Sequence, residues 1–352
     1  MRAVFFLFSL MMSLSGMAEV KQYFRYVDDG VIKVGMRDGV TNYTFGECEN
    51  IDCFLQITKG EVAGELVSEV FFETLQLSTP VPSPKQIIAP ALNFTAHKEE
   101  TKLAEFVIFP KITALTPWNA PVPHYGDGKG LLDYEVELGF LINKDITAED
   151  LKNKNVDLGS FIAGVFLTLD MTSRELQVRE GTLFNSYKGF SIAKSLPGYA
   201  PCGQFFISYK DFLSLASNFK ISLDLNGENR QSSNLEDMIN SPEEVLRLSF
   251  LRKYSSRKYS SSTGKKVKIH NGTIFKGDVL LSGTPAGMLF VAPTSKDKMA
   301  GFFEGLKKGK NPIKYAKDKI VNNQPKHLVP GDVIEATGSY LGQISTSVIS
   351  VK

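Results

Sequence analysis

Residues 133–140 read "DYEVELGF". Side chains two apart in a strand point the same way, so Tyr134, Val136, Leu138 and Phe140 fall on one apolar face and Glu135 and Glu137 on the other. Two carboxylates crowded on one face repel each other, and burial would require partners or a cation to keep them ionised. Either that face is wet, or something positive sits on it.

The chain around this strand has 352 residues, 43% hydrophobic and 22% charged, an ordinary globular composition with room for one large domain and a smaller one. A net charge of +2 gives nucleic acid no claim as the main partner. Met1-Arg2, the apolar run over 3–15 and the small residues Gly16-Met17-Ala18 predict a signal peptide, 1–18, cleaved after Ala18. The run is shorter than the ~20 residues that span a bilayer, so export to the periplasm or the medium is expected. In such an oxidising compartment Cys48 and Cys53 can pair across a short loop or stay as two thiols, and Cys202 reads as a small buried residue.

Short strand-like runs and one helix-like run over 19–80 predict a small N-terminal α+β domain. The Pro-rich "STPVPSPK" (78–85) reads as a linker, because it cannot continue a helix or fill a central strand. The main body, 81–352, is rich in short β-branched runs punctuated by Gly, Pro and Asn. The whole is therefore expected to be α+β and β-dominated. Two basic stretches, 251–272 and 292–327, read as surface insertions: solvated loops, or a docking face for an acidic partner or a membrane surface.

Asp170 ends the apolar run 164–169. If it converges with Glu135 and Glu137, the three acids form an oxygen-only site for a hard cation such as Mg²⁺, Mn²⁺ or Ca²⁺; otherwise they are an exposed acidic face. In "LNFTAHKEE", Glu100 lies one helical turn beyond His97, where a carboxylate can orient an imidazole and make it a base for water, or form a surface ion pair. Other chemistries lack support. "YGDGKG" (125–130) follows no buried strand and reads as a turn, His124, His270 and His327 lack zinc spacing, and no G-x-S-x-G elbow follows the leader.

Seven stretches in this order, "PSPKQIIAPALNFTAHKEE", "DYEVELGFLINKD", "LDMTSRELQ", "FSIAKS", "NGENRQ", "GDVLLSGTPAG" and "VPGDVIEATGSYLGQI", make the chain from Pro82 to Val351 resemble the fumarylacetoacetate hydrolase family. "YFRYVDDGVIKVGMRDG" resembles the small N-terminal domain that many members carry. The resemblance implies a mixed β-roll and a divalent ion, usually Mg²⁺ or Mn²⁺, on Glu135, Glu137 and Asp170. It maps the catalytic dyad onto His97 and Glu100, the active-site lysine onto Lys194, and substrate contacts onto Arg174, Gln177 and Thr284. A homodimer is expected, acting on a small anionic 2-oxo acid. Hydrolysis of a carbon–carbon bond in a 2,4-dioxo acid leads; decarboxylation or isomerisation of an oxo-dicarboxylate, or a non-catalytic exported binding protein, are the alternatives. Departures from the family pattern fall at Leu169, Glu175, Gly203-Gln204-Phe205, Asn93-Phe94 and Pro197, and bear on the substrate rather than on the ion or the dyad.

Overall fold

The computed structural model describes residues 20–67, 72, 74–101, 106–126, 130–153, 155–184, 186–261 and 264–351. The expected signal peptide lies outside them. The described chain is α+β and β-dominated, built on one mixed sheet whose strands run in the order Glu65–Val67, Thr41–Glu47, Val31–Asp38, Gln22–Asp28, Cys202–Ser208, Ile162–Leu169, Val136–Ile142, Val279–Leu281, Ile87–Ala91, Val107–Lys111. Neighbours are antiparallel except Val279–Leu281 beside Ile87–Ala91. A second sheet orders Glu228–Asn234, Lys220–Leu225, Val333–Gly338, Gly342–Val351 and Val122–Tyr125.

The two central strands, Val136–Ile142 and Ile162–Leu169, are covered on both faces and therefore nearly continuous in apolar residues. Their packing leaves no space at Gly139, where an added Cβ would meet the Phe166 ring at 2.5 Å. The N-terminal strands extend this same sheet: Tyr23 pairs with Phe206, and the Phe24 ring meets Phe205 edge-on. Within the expected linker, Thr79, Pro80 and Val81 are buried, and Thr79 accepts a hydrogen bond from Arg25 at 3.3 Å. Cys48 and Cys53 form a disulfide, and Cys202 is a buried free thiol whose pKa burial pushes up to about 12.

Neither basic stretch is a passive loop. In the first, Arg252, Lys253, Lys258, Lys265 and Lys266 face out, Arg257 packs over the Tyr187 ring, and two buried tyrosines face in, Tyr254 donating to the Phe106 carbonyl at 2.9 Å and Tyr259 to that of Ile108 at 2.8 Å. The stretch thus braces the strand Val107–Lys111. The second folds as two helices, Ser295–Lys307 and Pro312–Asn322, packed closely where a Cβ on Gly305 would stand 2.8 Å from the Pro312 Cα. Thr294 and Asp297 form a capping box at the start of the first helix. The second helix is tied to the helix Arg174–Glu180: Arg179 pairs with Asp318 at 2.6 Å, and Lys317 donates to the Arg179 and Gly181 carbonyls at 2.6 Å each. Among the described residues no helix is long and apolar enough to cross a membrane.

Candidate functional site

The antiparallel register of the two central strands sets Val136 opposite Leu169, so Glu135 and Asp170 meet where both strands end, with the Asp170 N–H donating to the Glu135 carbonyl at 2.8 Å. Glu137, two residues on and on the same face, completes the group. One carboxylate oxygen from each lies within 4.8 Å of the others. The face is not wet, since the three residues are only 6%, 1% and 1% exposed.

Buried cations answer this charge. Lys194, from the short helix Phe190–Lys194, donates to Glu135 at 2.5 Å and to Asp170 at 2.6 Å. Lys111, at the end of its strand, donates to the other Asp170 oxygen at 2.5 Å and to the Tyr199 carbonyl at 2.6 Å. Arg174 spans Asp133, through Nε at 2.8 Å, and Glu135, through Nη2. Asp133 is held in turn by the N–H groups of Tyr134, Leu289 and Phe290.

The balance differs from one carboxylate to the next. Burial would raise Glu135, but Lys194 and Arg174 hold it below its usual range. Glu137 goes the other way: burial, then Asp170 and Glu135, push it well above normal. Its recorded hydrogen bond comes from the Gly283 N–H at 2.8 Å. Burial would lower Lys194, and Asp170 and Glu135 raise it instead; for Lys111 burial prevails and its pKa falls. With Asp133, Glu135, Glu137 and Asp170 set against Lys111, Arg174 and Lys194, one formal negative charge remains. A buried, oxygen-only triad that carries this surplus negative charge once Glu137 gives up its proton fits a hard divalent cation.

His97 lies on the helix Thr95–Thr101, buried, with Nδ1 at 3.4 Å from Glu100. Glu100 is itself held by the Gly287 N–H at 3.3 Å, so the expected dyad forms and leaves Nε2 as the other ring nitrogen. Thr284 accepts from Gln231 at 2.9 Å and donates to the Val136 carbonyl at 3.0 Å. Gln177 accepts from Arg174 at 2.9 Å.

His97, Glu135, Glu137, Arg174, Gln177, Lys194 and Thr284 all line one cavity of about 240 Å³. The remaining wall is largely apolar, with Val107, Phe109, Leu183, Phe190, Phe290 and Ile320 prominent. His124, His270 and His327 are not among the residues that line it.

Sequence reasoning missed Lys111, Asp133 and Gln231. Lys111 closes the apolar run "EFVIFPK" as Asp170 closes its own, and that parallel was an available signal. Gln231 fastens the acidic strand by accepting from the Val136 N–H at 2.9 Å, a contact across 95 positions that no local pattern announces.

The family model described as "Fumarylacetoacetate (FAA) hydrolase C-terminal" matches residues 86–349. An uncharacterised protein of Staphylococcus aureus strain USA300 is 27% identical over 299 residues, 83% of this chain and 79% of that protein. Among solved structures, the fumarylacetoacetate hydrolase of Exiguobacterium antarcticum superposes with a TM-score of 0.63 at 21% identity, over 94% of this chain and all of that one. A 5-carboxymethyl-2-hydroxymuconate delta-isomerase of Mycobacterium smegmatis gives 0.59 at 18% identity, over 94% and 99%. At these identities the two structures establish a shared fold.

Proposed function

The chain belongs to the fumarylacetoacetate hydrolase family, and from that premise we propose that it is a divalent-metal-dependent hydrolase cleaving the C3–C4 bond of a 2,4-dioxo acid. The observation that carries this reading is His97, paired with Glu100, lining the same cavity as Glu135 and Glu137, which with Asp170 form the buried acidic triad. A base for water and a site for a cation then face one bound molecule. Glu135, Glu137 and Asp170 would hold Mg²⁺ or Mn²⁺. When bound, the ion supplies positive charge for the oxygens of a 2-oxo acid and for the enolate that cleavage releases.

His97 accepts a proton from water at Nε2, while Glu100 steadies the imidazolium through Nδ1. The water oxygen bonds to C4. The C3–C4 bond then breaks, its electron pair passing into the enolate of pyruvate while C4 leaves as a carboxylic acid. The proton held by His97 returns to C3, and atoms and charge balance. Lys194 spends two N–H groups on Glu135 and Asp170; its third can meet the enolate oxygen. Arg174 keeps Glu135 in place from the cavity wall, with Gln177 beside it.

The test is pyruvate release from acylpyruvates by the purified chain with Mg²⁺ or Mn²⁺, in the parent and in His97→Ala. Loss of cleavage with divalent affinity kept supports the reading. Decarboxylation or isomerisation of an oxo-dicarboxylate that survives His97→Ala would replace it, since neither reaction needs an attacking water. Loss of metal affinity in that variant would refute the division of roles.

A further inference from the structure

The helix Ser295–Lys307 turns its glycines inward and its large apolar residues outward. Gly301 and Gly305 are buried against the second helix of the pair, where added Cβ atoms would stand 3.0 Å from the Ala316 Cα and 2.8 Å from the Pro312 Cα. Met299, Phe303 and Leu306, at i, i+4 and i+7, form one ridge on the outward side and are 38%, 52% and 51% exposed. Val291, before the helix, and Ile313, after it, are exposed as well. One exposed apolar side chain is ordinary, but several aligned on one face mark an interaction surface. The ridge is presented firmly, because the second helix is fastened to Arg174–Glu180 through Arg179, Asp318 and Lys317.

The charge around the ridge has one sign. Residues 292–327 carry nine lysines and three acids, and each acid is already engaged. Asp297 closes the capping box with Thr294, Glu304 pairs with Lys308 and Lys319, and Asp318 pairs with Arg179. Lys296, seven residues before Phe303, and Lys307, four after it, share its side of the helix and are exposed. Lys310, in the turn that follows, is exposed too.

We infer that this outward helix face docks on an anionic phospholipid bilayer. Met299, Phe303 and Leu306 enter the boundary between headgroups and acyl chains, and Lys296, Lys307 and Lys310 meet the lipid phosphates. Phenylalanine and leucine beside lysines on one exposed helix are the chemistry of an interfacial anchor. Lysine stems lie along apolar surface while their ammonium groups stay in water, which suits them to the rim of such a face. A second copy is a poor occupant, because a symmetric contact would set the same unpaired lysines against each other. A protein partner fits less well, since protein interfaces favour arginine and are depleted in lysine, and the nine basic side chains of 292–327 are all lysine.

The test uses the chain from Glu19 onward, which holds the whole described fold and leaves out the apolar run 3–15 that would itself seek lipid. It should co-sediment with phosphatidylcholine vesicles containing about a third phosphatidylglycerol, bind poorly to phosphatidylcholine alone, and release as salt rises. Phe303→Ser with Leu306→Ser should weaken binding ~30-fold or more. Lys296→Gln, Lys307→Gln and Lys310→Gln together should do the same, at about a tenfold change for each pair of steps or better. Lys258→Gln, Lys265→Gln and Lys266→Gln remove equal charge from the other basic stretch and should leave binding within about 3-fold of the parent.

Phe303→Trp supplies a readout that does not depend on weakened variants: its emission should shift to the blue with the anionic vesicles and be quenched by brominated acyl chains. Failure of the parent to bind, equal binding to both vesicle types, or no shift at Trp in place of Phe303 overturns the inference. Equal loss in the two triple-lysine variants also overturns it, because overall charge rather than this face would then be responsible. A dimer in solution that Phe303→Ser with Leu306→Ser dissociates would assign the face to a second copy instead.

Discussion

Lys111→Met tests whether the buried charges form one unit. Methionine approximates the lysine stem but leaves Asp170 without one of its two cations and the Tyr199 carbonyl with the Met171 N–H at 3.2 Å in place of two donors. Breaking one side of a buried pair costs about 3–5 kcal/mol, because the abandoned charge stays in a poor solvent. Unfolding entropy of about 2.1 cal/mol/K per residue implies roughly 0.7 kcal/mol per degree for a chain of this size, so the midpoint should fall by ~4–7 °C in EDTA. A divalent cation acts in the opposite direction. The formal charge of the cluster goes from one negative in the parent to two in the variant, and a more negative cluster attracts the ion more strongly. Mg²⁺ at a hundredfold excess over Kd adds about 2.7 kcal/mol, and at a fixed Mg²⁺ concentration the variant should gain more than the parent, narrowing the gap. The assay is a thermal shift of both proteins in EDTA and across a Mg²⁺ titration. A loss below ~1 kcal/mol, or a gap that Mg²⁺ leaves unchanged or widens, would refute the argument that Lys111 and the cation serve the same charge.

Glu135→Gln removes one charge from the triad while keeping its shape, and calorimetry should show divalent affinity falling at least ~10-fold; unchanged affinity would mean that no ion binds there. Glu137, held protonated to higher pH by burial and its acidic neighbours, should lose that proton when the ion binds. Affinity should therefore rise with pH until the metal-free Glu137 ionises unaided, and calorimetry in buffers of different ionisation enthalpy should record up to about one proton released per ion in the parent, and less in Glu137→Gln. Tyr259→Phe leaves the Ile108 carbonyl unpaired in a buried setting and should cost about 1–3 kcal/mol by denaturant titration; a neutral result would make the first basic stretch dispensable to the strand beneath it.

The acidic strand was legible because its information is local: alternation over eight residues placed Glu135 and Glu137 on one face. The arrival of Asp170 depends on register, Val136 opposite Leu169, and register belongs to two strands rather than to either sequence. Lys111 shows the same limit more sharply. A lysine closing an apolar run reads as the solvated end of a strand, and only its partner 59 positions away reveals it as buried. The N-terminal strands were legible as strands, but their annexation to the main sheet through Tyr23 and Phe206 was not. In the basic stretches composition drew attention to the exposed lysines and arginines, while Tyr254, Tyr259 and the close-packed Gly305 do the structural work.

The division of labour among the cations follows from geometry. Arg174 offers a planar fork, and the structure uses it to bind Asp133 and Glu135 together in the cavity wall, where a fixed shape is needed. Lys194 carries a compact charge with three rotatable donors, and it stands between Glu135 and Asp170 with one donor left for the cavity. Lys111 has no opening to the cavity wall and is committed to Asp170 and a carbonyl. Only Lys298 faces the cavity with no such commitment among the described residues. Exchanging Lys194 for arginine should therefore harm turnover more than folding, since a guanidinium can keep the two carboxylates but not in the same space.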